Sequence, residues 1–136
     1  MSELLKHIKP GITQVTRLEK IHNVIFDNSK IGSKAVAREI ADLIKYKQSK
    51  KQKCILGLAT GSSPITVYEE LINIHKKEKL SFKNVITFNL DEYYPISPNN
   101  AESYHTFMYE NLFNHIDIDE NNINIPSGNL KKNEIE

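Results

Sequence analysis

The stretch CILGLA, residues 54–59, is apolar throughout and is flanked by polar residues on both sides. A run of that length without alternation predicts a strand covered on both faces, as in a parallel sheet. Val67, Tyr68, Leu71 and Ile72 then recur at helical spacing, with Ser63 suited to the cap and Pro64 to the first helical position. After the polar connection KKEKLSF, the run NVITFNL (84–90) repeats the strand signal in β-branched and aromatic residues. Strand, helix and strand in direct succession make a βαβ unit, which implies parallel pairing and a right-handed crossover.

Upstream, Val36, Ile40, Leu43 and Ile44, with Ala37 and Ala41 beside them, predict an amphipathic helix from Ser33. The basic run KYKQSKKQK (45–53) is able to touch phosphates, but its place between helix and strand reads as a solvated connection. NVIF (23–26), closed by Asp27, Asn28 and Ser29, is compatible with a short edge strand. Downstream of a Pro- and Asn-rich loop (95–100), Tyr104, Phe107, Met108, Leu112 and Phe113 suggest another helix, and NINIP (122–126) opens a further strand. Residues 1–22 are polar, broken by Pro10 and Gly11, and read as an N-terminal extension to one α/β domain over 23–136.

Composition narrows the partners more than the fold. The 136 residues are 39% apolar and 26% charged, the balance of a folded soluble domain. Eighteen basic against seventeen acidic side chains give a formal charge of +1, so no global field draws a nucleic acid or an anionic membrane. The single Cys54 excludes an intrachain disulfide and fits a reducing compartment. No signal-peptide core or bilayer-length apolar stretch stands in the sequence, so a cytoplasmic protein is expected.

The residues able to do chemistry concentrate at the ends of the strands. In parallel α/β sheets ligands gather at the carboxyl ends of strands, where helix N-termini present free N–H groups. Thr60, Gly61, Ser62 and Ser63 lie at such an end: the glycine admits close approach, the hydroxyls donate, and the helix dipole favours an anion, most naturally a phosphate. The same letters also serve a plain tight turn with a helix cap. A nucleotide is disfavoured, because no lysine follows Gly61 and the Gly57–Gly61 spacing is not that of a dinucleotide fingerprint. The second strand ends in NLDEYY, setting Asp91 and Glu92 beside that turn if the strands are neighbours. A partly buried carboxylate there can abstract a proton from carbon, although Asp91 also suits a turn or cap. Glu92 is read as an orienting or solvating group, and Tyr104 as near enough the helix start to reach the pocket. The five histidines do not assemble at metal-ligand spacing, so no metal is expected.

The blocks LGLATGSSPITVYEEL, SFKNVITFNLDEYYPI, ESYHTFMYENLFNHIDI and NINIPSG, in that order, resemble the N-terminal half of the glucosamine-6-phosphate deaminase (isomerase) family from about residue 24 onward. The resemblance implies a doubly wound, three-layer α/β/α fold with a mostly parallel sheet, incomplete in this chain, shared with ribose-5-phosphate isomerase and 6-phosphogluconolactonase. It implies conversion of glucosamine 6-phosphate and water to fructose 6-phosphate and ammonia without an organic cofactor or metal. Gly61, Ser62 and Ser63 would hold the sugar phosphate, Asp91 would take the proton from carbon 2, and Tyr104 would line the pocket. Homo-oligomers, trimeric or hexameric, are common in the family. Where members often carry Gly-Gly-Thr, this chain has Gly-Ser-Ser, which keeps hydroxyls but gives Ser62 less backbone freedom than glycine.

One departure bears on activity. The family's second catalytic block, an Asp-Gly-His-x-Ala-Phe-Asn-Glu type segment that opens the ring and handles the amine, is absent, as are later basic residues that clamp the phosphate. Transition-state stabilisation depends on groups acting together, so these 136 residues alone are expected to have little or no deaminase activity. Two other readings stand beside the enzyme: a non-catalytic sugar-phosphate sensor, and a 6-phosphogluconolactonase, which the NLDEYY…ESY spelling disfavours.

Overall fold

The two apolar runs pair in parallel as adjacent strands. The computed structural model describes residues 24–130. β1 (Cys54–Leu58) lies beside β2 (Val85–Asn89) with Cys54 opposite Val85 and Leu58 opposite Asn89. β3 (Ile123–Asn124) adds to the free edge of β2, also parallel, giving the order β1-β2-β3. The α/β class and the βαβ unit read from the sequence are therefore present.

Three helices flank the strands: α1 (Ser29–Ser49), α2 (Ser62–Glu78) and α3 (Tyr104–Asn111). α1 and α2 pack along each other. Ser33, Ala37, Ala41 and Ile44 form the buried stripe of α1, and their small side chains let α2 come close. Ser33 Oγ meets Thr66 Oγ1 at 2.6 Å near one end, and Arg38 forms a two-pronged ion pair with Glu78 toward the other. α2 buries Tyr68, Leu71 and Ile74. Together with Cys54, Val85, Phe82, Met108, Leu112 and Phe113 these side chains form one core on one side of the sheet.

Several expectations from the sequence need correction. Residues 24–26 join no strand; Ile25 is 95% exposed and Phe26 packs on Gly32 in the first turns of α1. Residue 23 lies outside the described residues, as does the predicted extension 1–22. α1 starts at Ser29 rather than Ser33, because the Asn28 side chain accepts from the Ile31 N–H and caps the helix there. It also runs to Ser49, absorbing half of the basic stretch expected to be a connection; only residues 50–53 are loop. Val36 and Leu43, expected on the packing face, are 42% exposed, while the alanines take that face. α2 is capped by Gly61, not Ser63, and Pro64 sits in the third helical position, still within the first turn where a missing N–H breaks no helical bond. The connection expected to be polar supplies Leu80 and Phe82, both essentially buried.

The described residues do not cover the strands on both faces. Inward positions Cys54, Val85, Thr87 and Asn89 are buried, while Ile55 is 66% and Phe88 49% exposed on the opposite face. Of the three expected layers, the described residues supply the sheet and one helical layer. Tyr104–Asn111 continues not as α-helix but as a 3-10 turn, Phe113–His115, that buries Phe113. Among the described residues no helix is long and apolar enough to cross a membrane, and Cys54 is a buried free thiol whose pKa burial raises.

Candidate active site at the carboxyl rim of the sheet

β1 and β2 end in register, so the segments beyond them leave from one rim. Asn89 donates from Nδ2 to the Leu58 carbonyl at 3.1 Å, tying the two strand ends together by a side chain. Its Oδ1, and Thr87 Oγ1 two residues earlier on the same face, are buried without a partner among the described residues. From the end of β1 the chain passes Ala59, whose carbonyl accepts from the Tyr68 hydroxyl at 2.5 Å. That bond anchors the turn to the body of α2, and burial pushes the Tyr68 phenol up to about 12.

Gly61 has φ 102 and ψ 179, a backbone conformation reached readily only by glycine. A Cβ built there meets nothing within 4 Å, so conformation rather than crowding demands the glycine. No side chain among the described residues caps α2. The first-turn N–H groups of Ser62 and Ser63 have no intrahelical acceptor, and Pro64 has none to offer. Ser62 and Ser63 are exposed and Thr60 half-buried. The turn thus presents backbone donors, hydroxyls and the positive end of a 17-residue helix to the rim.

From the end of β2 the chain reaches Asp91, which is exposed; the partial burial expected for it is absent among the described residues. Glu92 is fully engaged by backbone. Its Oε1 accepts from the N–H groups of Tyr93 (2.8 Å) and Tyr104 (2.9 Å), and its Oε2 from His105 (3.0 Å). A carboxylate at the first N–H groups of α3 satisfies donors that the helix cannot, and favours the dipole. Ser103 caps the same helix through Thr106 N–H and donates to the Pro98 carbonyl. The Tyr93 and Tyr104 rings stand 4.8 Å apart, and their contact, with the charges of Asp91 and Glu102 nearby, raises the Tyr93 phenol pKa. Further along, Ile96 N–H bonds the Gly128 carbonyl, and a side chain on Gly128 would strike Ile96 and the Tyr93 carbonyl.

Thr60, Gly61, Ser62 and Ser63 therefore share a rim with Asp91, while Glu92 and Tyr104 meet at the N-terminus of α3. Sequence reasoning missed Asn89, Tyr93 and Gly128. Asn89 carried a readable signal: in the alternation Val85, Thr87, Asn89 a polar side chain falls on the buried face at the strand's end. Among the described residues no three His, Cys, Asp or Glu side chains lie close enough to hold a metal.

Comparison with known proteins places the chain in a family. The family model for glucosamine-6-phosphate isomerases/6-phosphogluconolactonase matches residues 27–135. A glucosamine-6-phosphate deaminase of Clostridium botulinum is 48% identical over 113 residues, covering 83% of this chain and 45% of that protein. The solved structure of a monomeric glucosamine-6-phosphate deaminase matches with a TM-score of 0.74 at 40% identity, over 79% of this chain and 43% of that one. A 6-phosphogluconolactonase from Thermotoga maritima shares the fold, with a TM-score of 0.65 at 19% identity, over 79% of this chain and 46% of that one. The chain spans less than half the length of these relatives. It belongs to the glucosamine-6-phosphate isomerase/6-phosphogluconolactonase family.

Proposed function

We propose that this chain carries the phosphate cradle and the carbon-2 base of a glucosamine-6-phosphate deaminase acting in amino sugar catabolism. The observation that carries the reading is the parallel register of β1 and β2, which delivers the Gly61 turn and Asp91 to one rim. The N–H groups and hydroxyls of the Thr60–Ser63 turn hold the sugar phosphate, and the α2 dipole favours its charge. Asp91 accepts the proton from carbon 2 of the opened sugar, the proton returns at carbon 1 to leave an imine at carbon 2, and water adds there and expels the nitrogen as ammonia. The products are then fructose 6-phosphate and ammonia, with no change in net oxidation state and no need for a cofactor. Glu92 acts by orienting: its grip on α3 fixes Tyr104, which lines the pocket.

Ring opening is assigned to the family's second catalytic block, which the resemblance places outside these 136 residues, so ammonia release from them alone is expected to be little or none. A homo-oligomer, trimer or hexamer, is what the family resemblance implies, and a cytoplasmic setting is the expectation from the sequence; the monomeric state named for the relative at 40% identity is the competing outcome for sedimentation. The test is ammonia release and carbon-2 proton exchange with solvent, measured on this chain and on any longer product of the same gene. Asp91→Asn should keep binding and lose exchange; unchanged exchange removes Asp91 from this role. Binding of glucosamine 6-phosphate without turnover in the longer product favours the sensor reading.

A further inference from the structure

The opposite edge of the sheet, where β1 and β2 begin, carries a second concave surface. An open cleft of about 330 Å³ is lined by Gln48, Lys51, Gln52, Lys53, Lys83 and Asn84. That volume falls at the small end of ligand pockets, which span about 300–1,000 Å³. Strands of this length separate it from the Gly61 rim by about 15 Å.

Its floor is fixed by hydrogen bonds between three different segments. Gln48 donates to the Ser81 carbonyl (2.7 Å) and to Asn84 Oδ1 (3.0 Å), and Asn84 donates to the Gln52 carbonyl (3.2 Å). Lys51 is held at φ 55, left-handed and unusual for a lysine, by its N–H bond to the Gln48 carbonyl (2.9 Å). These contacts bring lysines from the α1–β1 loop and from the α2–β2 connection to one cleft.

Among the described residues no carboxylate lines the cleft, and Lys51, Lys53 and Lys83 form no ion pair. Asp119 lies close enough for Lys53 to help lower its pKa, behind the stronger effect of Asn121. The lysines are not required to finish the end of α1, because the N–H groups of Lys50, Lys51 and Gln52 already bond its last carbonyls. That helix end contributes roughly half a negative charge, against three positive ones.

We propose that this cleft binds a small, multiply charged oxyanion of the phosphate ester or pyrophosphate class, at a site separate from the Gly61 turn. Its concavity favours a compact ligand over an extended polyanion. The inference stands independently of the deaminase reading.

The probe is inorganic pyrophosphate titrated into the isotopically labelled chain at low salt, followed by amide chemical shifts. Saturable shifts are expected at Lys51, Lys53, Lys83 and Asn84. The Lys51→Gln/Lys53→Gln/Lys83→Gln variant, checked for unchanged circular dichroism, should bind at least tenfold more weakly, and Lys83→Gln alone about threefold. A Ser62→Ala/Ser63→Ala variant should keep these shifts. Shifts confined to residues 61–63, undiminished binding by both lysine variants, or binding of poly(U) without pyrophosphate would each overturn the proposal.

Discussion

Asn89 Nδ2 donates to the Leu58 carbonyl at 3.1 Å, so a side chain of β2 closes the last gap between the strands that carry the turn and the acid. Asn89 is 7% exposed, and replacing it strands the Leu58 carbonyl near the rim. Asn89→Ala should lower stability by about 1–3 kcal/mol, the usual range for leaving a buried polar group without its partner. Urea unfolding reads the loss; an unchanged midpoint would mean that the bond contributes nothing to the rim.

Gly61→Ala tests the turn by conformation alone, since a methyl group there meets open space. Holding alanine at φ 102 should cost about 1–3 kcal/mol or rearrange the turn. Either result weakens phosphate binding; the same change at Gly57, with φ in the ordinary range and open space around it, should do neither.

Glu92→Ala removes the acceptor for three N–H groups at once. Loss of charge-assisted bonds at a helix N-terminus should destabilise by about 2–3 kcal/mol and free the loop from Tyr93 to Ser103. Limited proteolysis should then cut between those residues. Glu92→Gln, which keeps an acceptor oxygen, should fall between the two.

The ion pair of Glu78 with Arg38 and Lys45 makes a pH prediction. Arg38 and then Lys45 lower the Glu78 carboxyl to about 2 from 4.5. A folded pKa below the unfolded one gives stability that is present above about 4.5 and is lost as pH falls toward 2. Wild type should therefore lose its small advantage over Glu78→Gln across that window, and salt should shrink the difference at neutral pH because the pair is exposed. Parallel urea series at pH 7 and pH 2 measure it.

The parallel βαβ unit was legible because CILGLA and NVITFNL are short strand-type runs on either side of a helical period. Those letters state which positions need cover, not that cover is present, which is why Ile55 and Phe88 stand exposed. Helix ends escaped the pattern where capping competed with it: Asn28 outweighed the apolar period, and the conformation of Gly61 moved the cap of α2 two residues ahead of Ser63. The site residues were legible as types at strand ends. The clamp of Glu92 on α3 was not, because it joins residues twelve and thirteen apart through a loop whose path no local signal encodes.

The most direct test is titration of glucosamine 6-phosphate into the labelled chain while following backbone amides. Gly61, Ser62 and Ser63 should shift together with Asp91, saturably, and Gly61→Ala should weaken the whole set. Shifts at residues 61–63 without Asp91, or none at the rim at all, would contradict a shared sugar-phosphate site.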